Sequence, residues 1–338
     1  MKAWTLIRHG DPDRAFELRE HPSPHPARGQ VLIRCEGFGL NYADTMAVLG
    51  LYREAPPLPS VIGYEVVGRV EQLGEGVPAE LLGKRVTALT RFGGYAEEAI
   101  TDHRACAVIP EDLPLGEAAA LATQGCTAWY AARILCPLRK GERVIVHSAA
   151  GGVGHLIVQL AVDSGCEVFA VVGGKEKADL VRRLGATHVI DRSAGDYARQ
   201  LSALLGKHRA DASFNAVGGA SFKKDLSLIG GGGRLVLFGG AERGGIGMFG
   251  TVRFVWRMGV VLPIFLMMKS RSLLGINMLR LSDHRQDLIA ECLREVVQAK
   301  QDGILKTHVH GTFDAYRLPA AIKALASGRT MGKVVVKW

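Results

Sequence analysis

The sequence predicts an α/β protein in which a doubly wound parallel sheet is joined to a second, mostly β domain. Three observations carry this. From about residue 121 to 278, short apolar runs alternate with glycine-rich turns and amphipathic stretches. From Met1 to about Ala120, short β-like runs are broken by Gly and Pro. The chain has 338 residues, 48% hydrophobic and 22% charged, which is room for two domains at roughly 100–200 residues each.

The elements follow in order. Val31 to Cys35, Val66 to Val70 and Arg85 to Leu89 read as strands of the first domain, and Leu115 to Leu121 as a helix former. Arg143 to His147 is a buried strand, followed by a Gly-rich turn and a helical run from Gly152 to Gly165. Glu167 to Val172 is the next strand and Lys175 to Leu184 the next helix. Strand, helix, strand in this order requires a crossover, hence a parallel sheet. Ala186 to Ile190, Ala212 to Ala216, Gly233 to Gly239 and Leu273 to Ile276 continue the strand series. A helix at about Arg285 to Gln301 and a strand from Lys333 to Lys337 close the chain.

Composition excludes several classes. The net charge of +9 is spread without a polybasic block, so nucleic acid is not an expected partner. The cysteines Cys35, Cys106, Cys126, Cys136, Cys166 and Cys292 contain no CxxC and no tight Cys/His cluster, so neither a disulfide framework nor a metal site is expected. Lys2 and Arg8 interrupt the N-terminus too early for a secretory signal, and a cytoplasmic protein is expected. Val252 to Met268 is the most apolar stretch, but Arg253, Arg257 and Pro263 interrupt it. A spanning helix needs about 20 mostly apolar residues, so none is expected.

Ser148-Ala149-Ala150-Gly151-Gly152-Val153-Gly154 lies between a strand and a helix, where a dinucleotide pyrophosphate binds. Small Ala149 permits the tight turn, Gly151 lets amides approach a phosphate, and Gly154 lets the helix pack on the strand. Phosphate then sits at the positive end of a helix. Selectivity for NAD rests on an acid about 20 residues further on. Here the second strand ends Val171-Val172-Gly173-Gly174-Lys175-Glu176-Lys177. No acid ends the strand and lysines follow, which favours a 2′-phosphate and thus NADP(H).

Gly39-Leu40-Asn41-Tyr42-Ala43-Asp44, Gly50-Leu51-Tyr52, Gly63-Tyr64-Glu65-Val66-Val67-Gly68-Arg69-Val70, Leu73-Gly74-Glu75-Gly76-Val77, Gly125-Cys126-Thr127-Ala128 and the Gly-rich turn appear in this order. Over essentially the whole chain these motifs resemble the medium-chain dehydrogenase/reductase superfamily, in its zinc-free quinone oxidoreductase branch. Met46, Pro56-Pro57-Leu58-Pro59 and the long segment after Gly247 resemble most the vesicle amine transport protein-like group. The resemblance implies a GroES-like catalytic domain over residues 1–123 and 279–338, a Rossmann NADP(H)-binding domain over 124–278, and an active-site cleft between them. It also implies a homodimer, paired through the strand Leu273 to Ile276. Zinc-dependent relatives carry a Cys-His pair at or beside the positions of Asn41-Tyr42 and a His where this chain has Tyr64. The four-cysteine lobe expected after Phe92-Gly93-Gly94-Tyr95 is missing, so no metal is expected.

The resemblance further assigns roles. Asn41, Tyr52 and Thr127 are the expected catalytic group: Asn41 orienting substrate and nicotinamide ribose, Tyr52 as phenolic donor, Thr127 on the nicotinamide side. Asn41, Met46, Tyr52 and Tyr64 are expected to line the substrate. The cofactor set is Ala149, Ala150, Gly151, Gly152, Val153, Gly154, Gly173, Lys177, Arg192, Phe238, Gly239 and Arg329, with Lys177 and Arg329 directed at the 2′-phosphate and Arg192 standing where many relatives carry a Tyr beside the adenosine. Without a metal to polarise an alcohol, the natural acceptor is a quinone or an α,β-unsaturated carbonyl, which takes hydride at carbon and delocalises charge onto oxygen.

Gly247 to Arg280 is longer and more apolar than this chemistry needs. Met248, Phe249, Phe254, Trp256, Leu262, Phe265, Met267 and Met268 are interleaved with Arg253, Arg257, Lys269 and Arg271. Two readings stay open: buried core, lid or interface, or peripheral contact with a membrane or lipid. Two functions stay open with them, an NADPH-dependent quinone or enone oxidoreductase and an NADPH-binding adaptor or lipid-contacting protein with little or no turnover. Reduction of enoyl thioesters is a further enzymatic alternative.

Overall fold

The computed structural model describes residues 1–243 and 247–338, and for Arg243 and Gly247–Phe249 the backbone alone. The Met248 and Phe249 side chains of the apolar segment therefore lie outside the described residues. The chain forms two compact units, Met1–Cys126 with Met278–Gln301 and Thr307–Trp338, and Thr127–Asn277 with Asp302–Lys306.

In the first unit the strand Gln30–Leu40 is the organising element. It pairs antiparallel with Glu65–Leu73, with Glu98–Asp102 and with the last strand, Lys333–Lys337. Its alternating apolar residues Val31, Ile33, Cys35, Phe38 and Leu40 enter one core with Ile62, Val66 and Tyr95, and Phe38 stacks on Tyr95 at 4.6 Å between ring centroids. The chain thus returns at its end to the sheet it began.

That return is fastened by a buried ion pair. Lys333 is fully buried, and its ammonium donates to the Glu65 carboxylate and to Asn41 Oδ1 at 3.1 Å. Glu65 Oε1 also accepts from Asn41 Nδ2 at 2.7 Å, and Oε2 from the Thr123 amide at 2.8 Å. One carboxylate therefore ties together four segments far apart in sequence. Gly39 makes room for it, because a Cβ there would overlap the Lys333 stem.

The second unit is built on parallel strands β1 (Arg143–His147), β2 (Glu167–Val172), β3 (His188–Asp191), β4 (Ala210–Asn215), β5 (Ile229–Leu237) and β6 (Ser272–Gly275). Among the described residues their order across the sheet is β3-β2-β1-β4-β5-β6. The order reverses between β1 and β4, the place where open parallel sheets bind ligands at strand C-termini. Helices α1 (Gly154–Asp163), α2 (Lys175–Arg183), α3 (Tyr197–Leu205) and α4 (Ala220–Leu228) make the crossovers. The predicted α/β class, with a GroES-like domain and a Rossmann-type domain, is the one observed. α1 starts two residues later than its apolar run, because 151–153 belong to the turn.

Between β5 and β6 lie α5 (Gly247–Met258) and α6 (Pro263–Lys269). Phe254 covers Gly218 and Gly240, and Met258 and Val261 pack on the core beside Leu237 and Leu273. This inward stripe is narrow. Val252, Val255, Trp256, Val260, Leu262, Ile264, Phe265, Met267 and Met268 are all exposed, so the reading of the segment as buried core does not hold. By length and composition alone Gly250–Lys269 is long and apolar enough to cross a membrane. It is not one continuous helix: Gly259 at φ 71° ends α5, and Pro263 starts α6.

Breaking the buried pair from one side leaves the other charge unpaired. Lys333→Ala is expected to lower stability by about 3–5 kcal/mol in urea unfolding, and the double change Lys333→Met/Glu65→Leu by clearly less.

Candidate functional site

The turn after β1 owes its shape to a residue other than the fingerprint glycines. Ser148 adopts φ 50°, unusual for a non-glycine residue, and this aims its carbonyl at the turn, where it accepts from the Gly151 amide at 2.7 Å. The same carbonyl occupies the space a Cβ on Gly154 would need, which is why α1 must begin with glycine. Ala149, buried and bonded through its amide to Val171 at 3.1 Å, is the small residue that the crossing of β1 and β2 demands. His155 Nδ1 lies 2.9 Å from the Gly151 carbonyl and holds it from the helix side. Ala150, Gly152 and Val153 complete the turn at the N-terminus of α1, whose unsatisfied amides and dipole suit an anion.

At the end of β2, Gly173, Lys177 and Arg192 come together. Arg192 Nε would lie 3.2 Å from a Cβ on Gly173. Burial, and then the neighbouring Arg192 charge, push the Lys177 ammonium below its ordinary range. Two neighbouring cations suit a polyanion such as a phosphate. The acid missing from β2 has a neighbour that sequence reading did not bring forward: Asp191, paired with Val172 across β2 and β3. Its Oδ1 accepts from the Gly174 amide at 3.0 Å and from Ser193 through amide and hydroxyl. These bonds hold its carboxyl below the ordinary range, and they commit it to fixing the loop.

Beneath the switch point lies a buried polar network, also unanticipated. Asp225 is fully buried and accepts from Ser213 Oγ at 2.8 Å, Asn215 Nδ2 at 2.6 Å and Tyr197 OH at 3.0 Å, with His147 Nε2 at 2.8 Å. Burial works to raise its pKa, but His147 and the other donors outweigh it and hold it low. Asn215 Oδ1 in turn accepts from the amides of Val217 and Gly218 at 2.8 and 2.9 Å. The network therefore fixes the loop after β4. Phe238 and Gly239 follow β5 beside that loop: the Phe238 amide donates to the Asn215 carbonyl at 3.2 Å, and a Cβ on Gly239 would stand 2.6 Å from the Ala216 carbonyl.

In the first unit the helix Tyr42–Val48 starts at Asn41, in a reciprocal cap with Asp44. The Asn41 amide group is already engaged by Glu65 and Lys333, so its remaining N–H is what it has to offer a ligand. Met46 is buried on this helix, and its carbonyl accepts from the Leu51 amide at 2.8 Å, which brings Tyr52 back beside it. Tyr52 and Tyr64 meet edge to face at 5.9 Å, and Phe92 packs on Tyr64 at 5.3 Å. Burial, then the Glu54 charge, push the Tyr52 phenol up to about 12. Tyr64 is shifted upward by burial and then by Asp44. Its hydroxyl is buried without a hydrogen-bond partner among the described residues.

The remaining expected residues are placed separately. Thr127 is buried and is the first residue of the second unit. Arg329 is in the first unit, in the turn between the helix Leu318–Ala326 and the last strand. As a donor set for zinc, the Asn41 region fits poorly. Glu65 is committed to Lys333, Asn41 and Thr123, and amide and phenol groups are weak ligands. Among the described residues no group of His, Cys, Asp and Glu gathers as a metal site.

Asp44 supplies a test of this region. Burial raises its carboxyl to about 7, against the opposing Asn41 amide bond. A carboxyl raised on folding binds its proton more tightly in the native state. Its contribution to stability is complete below pH 4, is lost as pH rises, and is gone above about pH 7. Asp44→Asn is expected to flatten the pH dependence of the melting temperature between pH 4 and 7.

Two family models match the chain, an alcohol dehydrogenase GroES-like domain over residues 27–132 and a zinc-binding dehydrogenase domain over residues 152–294. Among curated proteins, a 2-haloacrylate reductase from a Burkholderia species is 30% identical over 99% of this chain and 98% of its own length. The human synaptic vesicle membrane protein VAT-1 homolog is 30% identical over 99% of this chain and 86% of its own length. Among solved structures, Escherichia coli quinone oxidoreductase complexed with NADPH superposes with a TM-score of 0.88 at 25% identity, covering all of both chains. With a GroES-like unit, a Rossmann-type unit and full-length likeness to these proteins, the chain belongs to the medium-chain dehydrogenase/reductase superfamily, as an oxidoreductase of the group that includes the VAT-1 homologs.

Proposed function

We propose that the protein is an NADPH-dependent, zinc-independent reductase whose acceptor is a quinone or an α,β-unsaturated carbonyl. The observation that carries this reading is the pair Lys177 and Arg192 at Gly173, on a strand end without a carboxylate of its own. It is supported by two relatives: one named for reduction of a conjugated haloacrylate, the other a quinone oxidoreductase complexed with NADPH.

The chain's residues divide the work. The turn from Ser148 to Gly154 presents amides and the α1 N-terminus to a pyrophosphate. Lys177 and Arg192 receive a 2′-phosphate, which relieves their mutual repulsion. Phe238, Gly239 and the loop fixed by Asn215 present backbone at the switch point. When bound, the nicotinamide supplies the hydride. As hydride reaches the acceptor carbon, negative charge moves to the acceptor oxygen, and a phenol that stays protonated up to about pH 12 can donate to it. Tyr52 has that property, and the remaining Asn41 N–H is fixed in direction by Glu65 and Lys333. Protonation of the reduced substrate then completes the addition of hydride and proton. We infer in addition a homodimer through β6, which ends the sheet and pairs with β5 among the described residues.

Lys177→Ala and Arg192→Ala are each expected to weaken NADPH binding about tenfold to a hundredfold, the worth of a charge-assisted hydrogen bond, and to leave NADH binding unchanged. Titration of both nucleotides with each variant checks this. With benzoquinone, naphthoquinone and a medium-chain enal, stopped-flow oxidation of bound NADPH is expected to be rapid. Tyr52→Phe should lower that rate constant about a hundredfold with little change in NADPH affinity. Tight NADPH binding with no acceptor oxidised would instead favour the adaptor reading.

A further inference from the structure

We propose that the Tyr64 hydroxyl is a hydrogen-bond donor to the oxygen on which negative charge gathers as the acceptor is reduced. The starting point is an imbalance inside the first unit. Tyr64 is 4% exposed, and its hydroxyl meets no hydrogen-bond partner among the described residues. Burying an O–H unpaired costs free energy that a phenylalanine in the same place would not incur. Packing does not require the hydroxyl, because the ring makes the contacts: Tyr52 edge to face at 5.9 Å and Phe92 at 5.3 Å. The Tyr64 backbone is fixed separately, its carbonyl accepting from the Thr90 amide at 2.9 Å. A rigidly held ring that carries an unused donor is prepared for a partner from outside the chain.

Phe92 adds a second, independent observation. Its backbone stands at φ 71°, in the left-handed region that a bulky residue rarely adopts. A glycine would take that conformation without strain, yet the residue is aromatic. The Arg91 guanidinium covers the Phe92 ring at 5.0 Å and donates through Nε to Asp283 at 2.7 Å, so the surroundings hold the strained residue in place. Strain of this kind gathers where a side chain has to be presented to a ligand. What Phe92 presents is a ring against Tyr64. Tyr52 and Phe92 are both half-buried, so this aromatic corner borders solvent while the Tyr64 hydroxyl stays dry.

The neighbouring groups decide what the hydroxyl does. Burial, then Asp44 and Tyr52, push the Tyr64 phenol upward, and Arg91 opposes them only weakly. Tyr64 therefore keeps its proton throughout the reaction. Its part is to stabilise the developing oxygen charge through the hydrogen bond, in a water-excluded place where such a donor counts most. The proton itself is left to Tyr52, which borders solvent. This role rests on the reductase reading, while the donor can be tested without turnover.

Tyr64→Phe in the full chain keeps both ring contacts and removes the hydroxyl alone. Stopped-flow oxidation of bound NADPH by benzoquinone is expected to slow about a hundredfold, the worth of one such donor. NADPH affinity should be unchanged and the melting temperature not lowered, since an unpaired buried group has been removed. A dinitrophenolate probes the donor apart from the reaction. It is an oxygen anion at about pH 6, below the raised Asp44 value of about 7, so that carboxyl does not repel it. The wild-type protein is expected to bind it with a shift in its visible absorption, and Tyr64→Phe about tenfold more weakly and without the shift. An unchanged rate in Tyr64→Phe, a lowered melting temperature, or no Tyr64-dependent binding of the anion would each overturn the assignment. A wild-type protein that binds the anion through Tyr64 yet oxidises no NADPH would uphold the donor and refute the reductase reading instead.

Discussion

The first unit depends on one carboxylate. Glu65 is fully buried, and burial of a charge without partners costs several kcal/mol. It is tolerated because the last strand delivers Lys333, the end of the long strand delivers Asn41, and the backbone at Thr123 delivers an amide. Each partner is held by the same bonds it provides. The consequence reaches the candidate site, because Asn41 is also the cap of the helix carrying Met46, and the chain beyond that helix carries Tyr52. A loosened Lys333 would therefore free the Asn41 amide as well as the strand. Polar specificity in this unit is bought with a buried ion pair, and Gly39 is the residue that makes it sterically feasible.

The second unit solves a different problem, how to leave backbone amides open at a sheet edge without losing shape. Both loops near the switch point are fixed from below. Ser148 in the left-handed region and His155 brace the turn after β1. Asn215, itself locked by Asp225, braces the loop after β4. Within the turn the Gly151 carbonyl is met by His155 and the Ser148 carbonyl by the Gly151 amide. Such preorganisation lowers the cost of ordering a ligand. At the β2 end Asp191 takes up the amides of Gly174 and Ser193, and Lys177 lies within reach of the Arg192 charge.

How much of this was legible in the sequence follows from the range of the interactions. Strands, crossovers and the Gly-rich turn depend on neighbours within a few residues, and the alternation of Val, Ile and Gly states them directly. The class of fold came through for that reason. Lys333 did not. It sits in Lys333-Val334-Val335-Val336-Lys337, where a lysine at a strand end reads as a solvated terminus, and its partner Glu65 is 268 positions away. Asp191 was equally hidden, since only the pairing of β2 with β3 brings it to the place where an acid on β2 was sought. The Asp225 network draws on β1, α3, β4 and α4 and has no local signature. Even at Asn41 the motif marked the position, while the engagement of its amide became visible only with Lys333 in place.

The apolar segment shows the limit from the other direction. Its composition was plain, but composition alone fits a core, an interface or a membrane surface, because all three reward the same side chains. What separates them is which residues turn inward. Phe254, Met258 and Val261 fasten α5 and the chain after it to the second unit. Most of the other described apolar residues on these helices face outward. Leaving Trp256, Val260 and Met267 in water gives up the stabilisation of burial and yields nothing to the fold. The absence of acids from Gly250 to Arg280 compounds the problem for a protein of net charge +9, since a solvated helix would ordinarily alternate its signs.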